Sequence, residues 1–354
     1  MYKGKQLDFS GHTIHCGLDV HKTNWKVSFG MGNKELGAFS QDPDPEKLKN
    51  YFNKRYPGAQ VKAVYEAGFC GFGIQRSLTQ LGIECIVVNA ADVASTDKDR
   101  KRKADKRDAR KLRRELAGDD LEPIFVPVKE LEHDRTLVRE RHRLVQDQTR
   151  CKARIRHMLM FSGMPLEIQE QRWSLKYVKQ LEQMSFETPS LKNALQFAIK
   201  EYKAIRQLIK EATLAIRDLS KEPRYADIQR LIQTIPGIGL INGMVIQTEI
   251  QEMSRFRNLD SLCGYAGFVP DLHSTNDKNT TTGVSKRCNE FLREAIIESS
   301  WMLIRKDPAM LMKYNEYTRR MHSNKAIIRI GKHLLARIRY VWNNRSEYQK
   351  GIVG

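Results

Sequence analysis

The order of apolar and polar positions divides the chain into three textures. In the first, residues 14–20 (IHCGLDV) and 25–31 (WKVSFGM) are apolar runs separated by a short polar HKTN turn, which predicts a β-hairpin. Residues 61–68 (VKAVYEAG) and 83–90 (IECIVVNA) are β-rich and flank the helix-compatible stretch GIQRSLTQLG, so a β-β-α-β-α-β order with mixed pairing is expected. Residues 124–128 (IFVPV) are expected to supply a last strand. From about residue 130 the period becomes that of long helices. Leu137, Val138, Leu144, Val145, Cys151, Ile155 and Leu159 share one helix face, and 191–219 repeats the pattern through Leu195, Ile199, Tyr202, Ile205, Leu208, Ile209, Ala212 and Ile216. These two stretches predict an antiparallel helical hairpin or coiled-coil arm, closed within one chain or paired with a second copy. Beyond Pro223 come Gly-rich turns at 236–239 (PGIG) and 263–267 (CGYAG), a polar loop at 273–282 and a basic helical C-terminus.

The fold class read from these textures is α/β plus α. A mixed-sheet domain is expected at 10–128, a helical arm at 129–222 and a mainly helical domain at 223–354. A chain of 354 residues has room for two or three such units. Lys and Arg number 61 against 42 Asp and Glu, a formal charge of +19. That excess points to a polyanion partner, because each cation laid against a phosphate releases a condensed counterion. There is no run of 18 apolar residues and no basic segment leading into an apolar one at the N-terminus, so neither membrane insertion nor secretion is expected. Six cysteines without a CxxC pair read as reduced thiols of a cytosolic protein. His12 and His15 form an HxxH pair that lacks the second ligand pair of a zinc site.

Four carboxylates change the picture. Asp19 ends one apolar strand and Glu66 another, where an acid is costly unless water, a donor or a metal satisfies it. Asp105 and Asp108, spaced i, i+3 in KADKRDARKLRREL, share a helix face. Together they could form an oxygen-rich cage for Mg²⁺, and two ions there could polarise a phosphodiester and activate a nucleophile. Between Lys98 and Glu115 stand eleven basic residues, Lys101, Arg102, Lys103, Lys106, Arg107 and Arg110 among them, so the acids are embedded in a phosphate-attracting segment. On the residues alone, a solvated charged helix is an equally open reading.

The succession GLDVHK, VYEAGFCG and KADKRDARKLRREL resembles the DEDD insertion-sequence transposases, whose N-terminal domain is RuvC-like with an RNase H fold. The resemblance continues through TIPGIGLINGMVIQTEI, SLCGYAGFVP and GVSKRCNEFLREAIIESSW, nearly the whole chain. It implies that Asp19, Glu66, Asp105 and Asp108 are the metal-binding tetrad, holding Mg²⁺ as one or two ions. It implies a C-terminal transposase domain, and a structured non-coding guide RNA (a bridge RNA) that selects donor and target DNA by base pairing. A homo-oligomer, dimer or tetramer, and a nucleoid-associated place in a bacterial or archaeal cytoplasm follow from the same resemblance.

The C-terminal motifs carry a second constellation. TIPGIGLINGMVI reads as helix, turn, helix, with Gly237 and Gly239 where free amides at a helix start can hold a phosphate; a plain tight helix connection is the other reading. In the resembled family the polar loop after the Ala-Gly and Pro residues carries a serine that attacks DNA and becomes covalently joined to it. Counting from Pro270 by the family pattern reaches Thr275, with Ser274 one residue earlier, so the attacking hydroxyl is either Ser274 or Thr275. Lys286, Arg287 and Arg293 border the loop as expected nucleic-acid contacts, and Ser285 reads as a helix cap. The alternative function is a metal-dependent structure-specific nuclease of the junction-resolvase kind, which needs the acids but no covalent intermediate.

Overall fold

The computed structural model describes residues 8–93, 105–164, 172–186, 188–275, 278–285 and 287–351, in two compact units, 1–126 and 127–354. The first unit is built on a five-stranded mixed sheet. β1 (Thr13–Val20), β2 (Trp25–Met31) and β3 (Lys34–Gln41) form an antiparallel meander, and β1, β4 (Gln60–Glu66) and β5 (Glu84–Val88) run parallel, giving the order β3-β2-β1-β4-β5. The β1/β2 hairpin and the mixed pairing are as the sequence predicts. β3 is an addition: Gly32 and Asn33, the former at φ +51, turn the chain back in a two-residue hairpin loop. Its residues are mostly exposed or half-buried, so the apolar signal was weak.

Alternate strand residues serve the two faces. Ile14, Cys16 and Leu18 of β1 and Val61, Ala63 and Tyr65 of β4 join Leu48 and Phe52 of α1 (Pro45–Arg55) and Leu78 of α2 (Gly73–Gln80). On the other face Val64 and Val88 meet Leu112 of α3 (Asp105–Ala117). The expected strand at 124–128 does not form. Ile124 donates a single backbone bond to Val87 (2.8 Å) and packs with Val126 on the sheet core, but Pro123 and Pro127 have no N–H to extend a ladder.

In the second unit the two long helices are α4 (Lys129–Phe161) and α6 (Pro189–Leu219), with α5 (Leu175–Gln183) between them. They run antiparallel: Arg141 reaches Thr213, and Cys151 reaches the Ala198 carbonyl. Cys151, Ile155 and Leu159 pack with Tyr177, Val178, Leu195, Ile199 and Tyr202. Leu208, expected on the seam, is exposed. The remainder is α7 (Pro223–Ile232), α8 (Leu240–Ile250), a 3₁₀ turn (Met253–Arg255), α9 (Leu259–Ala266), α10 (Glu290–Lys306), α11 (Pro308–Thr318) and α12 (Ser323–Asn344), around a core that includes Ile246, Leu262, Phe268, Ile296 and Leu334.

Two expectations in this unit are corrected. The CGYAG stretch is helical up to Ala266, and only Gly267 turns, as a left-handed C-cap at φ +73. The polar loop at 273–282 is an antiparallel hairpin of β6 (Pro270–Thr275) and β7 (Lys278–Val284). Its threonines favour extended backbone, yet with few apolar residues it shows no alternating signal. Among the described residues no helix is long and apolar enough to cross a membrane.

Candidate active site

Two strand tips and one helix assemble the acidic cluster. β1 and β4 are parallel with Leu18 opposite Tyr65, so the next step along each brings Asp19 beside Glu66. Asp19 shares its strand parity with Gly17, and Glu66 with Val64, which places both acids on the sheet face that carries α3. There α3 seats directly on β1. A Cβ on Gly17 would lie 2.0 Å from the Ala109 carbonyl oxygen and 2.5 Å from the Arg113 nitrogen, so only glycine permits this approach. Asp108, beside Ala109, is thereby turned to the strand tips. Asp19, Glu66 and Asp108 line one cleft of about 160 Å³ together with Leu18, Val20, Leu112 and residues 67–70.

The cluster is electrostatically strained. Burial holds the Glu66 carboxyl above the usual glutamate range, and the charges of Asp108 and Asp19 push it the same way against the opposing effect of Lys111. Asp19 Oδ2 lies 3.0 Å from His21 Nε2. Hard carboxylate oxygens that repel one another are the donor chemistry of a divalent cation such as Mg²⁺. Among the described residues, however, no group of three His, Cys, Asp or Glu side chains stands ready to hold a metal ion. Asp105 is the first residue of α3, and its side chain lies outside what is described.

The basic segment is less uniform than its sequence. Lys101, Arg102 and Lys103 lie outside the described residues, as do the side chains of Lys106 and Arg107. Arg110 is exposed, with Nε donating to Glu35 Oε1 at 2.8 Å. Arg113 is buried and donates from its guanidinium to the Gly32 carbonyl at 3.0 Å, so this member of the run is a structural tie and not part of a solvated face.

In the second unit Ser274 and Thr275 lie in β6, paired with Asn279 and Lys278 of β7; their side chains are not described. Gly237 has φ +98, and a Cβ there would lie 2.5 Å from the Ser299 carbonyl oxygen, so this glycine lets the turn before α8 press on α10. Gly239 is the exposed N-cap of α8, whose first turn has no side-chain cap. Lys286 lies outside the described residues and Arg287 is exposed. Arg293 donates to the carbonyls of Gly267 (3.1 Å) and Ser285, which ties its guanidinium to protein. Ser285 does not cap α10. Its Oγ accepts from the Arg287 N–H at 3.2 Å in a local turn, and the cap is Asn289, which accepts from Leu292 at 3.0 Å.

Residues 16–162 match the transposase family model of the DEDD, IS110 type, and residues 229–315 match that of the transposase IS116/IS110/IS902 family. The chain belongs to the IS110 family of DEDD transposases. It is 28% identical over 237 residues to the Sinorhizobium fredii protein y4qE, a transposase by name, covering 67% of this chain and 57% of that one. It is 24% identical over 250 residues to the transposase for insertion sequence element IS1533 of Leptospira borgpetersenii, covering 69% and 72%. The transposase for insertion sequence element IS1111A of Coxiella burnetii is 27% identical over 185 residues, covering 51% and 50%. The aligned stretch therefore spans between half and about three-quarters of these relatives.

The N-terminal IS110 match contains all four acids, and the C-terminal one contains the PGIG turn and the β6/β7 hairpin. Phe69, which no sequence motif singled out, is 63% exposed on the wall of the acidic cleft. Its signal was its place directly after the strand-end acid, in EAGFCG.

Proposed function

We propose that the protein is a transposase that cuts and rejoins DNA through a covalent protein–DNA intermediate. The observation that carries this reading is the meeting of Asp19, Glu66 and Asp108 at one cleft, on a sheet whose order and parallel core strands suit an RNase H-like fold. These three, with Asp105, would hold Mg²⁺. Bound there, the ion supplies positive charge at the phosphodiester and favours the ionised form of the attacking group. Ser274 or Thr275 supplies the attacking oxygen: its bond to phosphorus forms as the bond to one sugar oxygen breaks, and the hydroxyl proton leaves to the departing oxygen or to water. His21 Nε2 lies 3.0 Å from Asp19 Oδ2 and holds that carboxylate in place, and Phe69 offers a face on which a flanking base can stack.

The net charge of +19 supports a partner set of donor DNA, target DNA and a structured guide RNA. Phe161 and Phe197, at 88% and 68% exposure, give the helical arm apolar surface suited to a second copy, which supports an oligomeric working form. In this reading the sheet domain supplies the acids, the transposase domain the attacking hydroxyl and the arm the apolar surface, in a cytoplasmic, nucleoid-bound complex.

Trapping on a nicked suicide substrate, followed by peptide mapping, tests the reading. Ser274→Ala should abolish the adduct if Ser274 attacks, and Thr275→Ala should do so if Thr275 attacks. Continued cleavage in the double variant with no adduct makes water the nucleophile and the protein a resolvase-type nuclease.

A further inference from the structure

The stems of the β6/β7 hairpin converge on an ion pair whose carboxylate is buried and whose guanidinium is partly exposed. Glu249, near the end of α8, is wholly buried. A carboxylate withdrawn from water is tolerated only when its oxygens are fully partnered. Arg139 of α4 donates from Nε and from its second guanidinium nitrogen to the two oxygens, at 2.7 and 2.8 Å, and Asn289 donates to Oε2 at 2.7 Å. Asn289 also donates to the Tyr265 hydroxyl at 2.9 Å, and that hydroxyl donates to the Glu249 main-chain carbonyl at 3.0 Å. The Arg139 guanidinium lies 4.5 Å from the ring centre of Phe291.

Tyr265 and Asn289 stand on either side of the hairpin in sequence, and the Asn289 N–H donates to the Tyr265 carbonyl at 2.8 Å. Nearer the strands, the Ser285 N–H donates to the Val269 carbonyl at 3.1 Å, and Arg293 bridges Gly267 and Ser285. Gly267 makes room for that guanidinium, since a Cβ there would lie 2.0 Å from it. Both stems thus meet on Glu249, the Asn289 stem at its carboxylate and the Tyr265 stem at its main-chain carbonyl, and the cation of that carboxylate comes from α4. A bidentate fork adds geometric specificity to the join between the elements it links.

We propose that Arg139, Glu249 and Asn289 are positioning residues: they lock the hairpin stems to α4, so that the hairpin presents its hydroxyl in one orientation and any displacement of α4 reaches it. This rests on the reading of the hairpin as carrier of the attacking hydroxyl.

Arg139→Ala alone strands a buried carboxylate, so the informative protein is the full-length double variant Arg139→Met with Glu249→Met, which fills the site with apolar volume and preserves stability. Its melting temperature should stay near wild type, and so should its affinity for a duplex cut from the end of the insertion sequence. Its rate of strand exchange on a plasmid carrying that sequence should fall about 100-fold, the cost of a small misplacement of a reacting group. The amides of residues 270–275 and 278–284 should exchange hydrogen faster than in wild type. Arg139→Lys, which keeps the charge but loses the fork, should fall between the two. If the double variant recombines at the wild-type rate with wild-type protection of the hairpin, the cluster is packing alone and the proposal falls. If wild type yields no hairpin adduct while the double variant still loosens the hairpin amides, the hydroxyl reading fails and the lock stands.

Discussion

Gly17 lies so close under Ala109 that a Cβ on it would stand 2.0 Å from the Ala109 carbonyl oxygen. This approach sets the distance from α3 to β1, and through it the distance from Asp108 to Asp19 and Glu66. Gly17→Ala must lift a helix backbone, which cannot give way as a flexible side-chain end can. Overpacking of this kind costs about 1–3 kcal/mol, and the shift it forces here opens the acidic cleft. Urea denaturation should show the loss, and strand exchange should fall further than the loss of folded protein explains. Wild-type values in both assays would mean that α3 is not seated on β1.

Glu66 gives the cleft a pH signature. Its folded carboxyl holds its proton more tightly than the ordinary value of 4.5, chiefly through burial and then through Asp108 and Asp19. The folded state is therefore favoured while Glu66 is protonated, and this contribution is lost as pH rises from 4.5 through the raised folded value. Glu66→Gln removes the loss. In chelator near neutral pH the variant should melt above wild type, the two should converge below pH 4.5, and added Mg²⁺ should narrow the gap by stabilising the ionised wild type. A variant that melts below wild type throughout would show that Glu66 is not strained.

All four acids should be needed for strand exchange, since each missing carboxylate removes charge from the cation beside the phosphate. Asp19→Asn, Glu66→Gln, Asp105→Asn and Asp108→Asn should fold and bind DNA but lose roughly 10²–10³-fold in rate, the scale of a lost electrostatic contact in an active site. Full activity in any two of them with Mg²⁺ present would end the metal-cage reading.

How far the site could be read from sequence depends on the kind of signal. Asp19 and Glu66 stood out because acids at the ends of apolar runs are rare, but their shared face follows only from the parallel pairing of β1 with β4. What brings Asp108 to them was hidden, because nothing in GLDVHK says that Gly17 is there for want of a Cβ. Strand β3 was lost at an exposed edge, although Gly32-Asn33 is a hairpin signal, and the β6/β7 hairpin was lost because threonine-rich strands carry no apolar alternation. Glu249 could have been found as the one charge in the apolar helix LINGMVIQTEI. Its partner Arg139 could not, since an arginine on a long polar helix looks like any solvated cation.

The cations separate by what they touch. Lys101, Arg102 and Lys103 were read as phosphate contacts, while Arg293 is tied to the carbonyls of Gly267 and Ser285. Each phosphate neutralised contributes about −0.9 to the slope of log affinity against log salt, so replacing Lys101, Arg102 and Lys103 by Ala should flatten that slope by about 2.7. Arg293→Ala should leave the slope unchanged. It should lower the melting temperature instead, because two carbonyls at the base of the hairpin lose a charged donor. Fluorescence anisotropy between roughly 50 and 200 mM salt, paired with thermal melts, distinguishes the two effects. A flattened slope in Arg293→Ala at unchanged stability would reassign that guanidinium to the nucleic acid, and an unchanged slope in the triple variant would return the 101–103 segment to solvent.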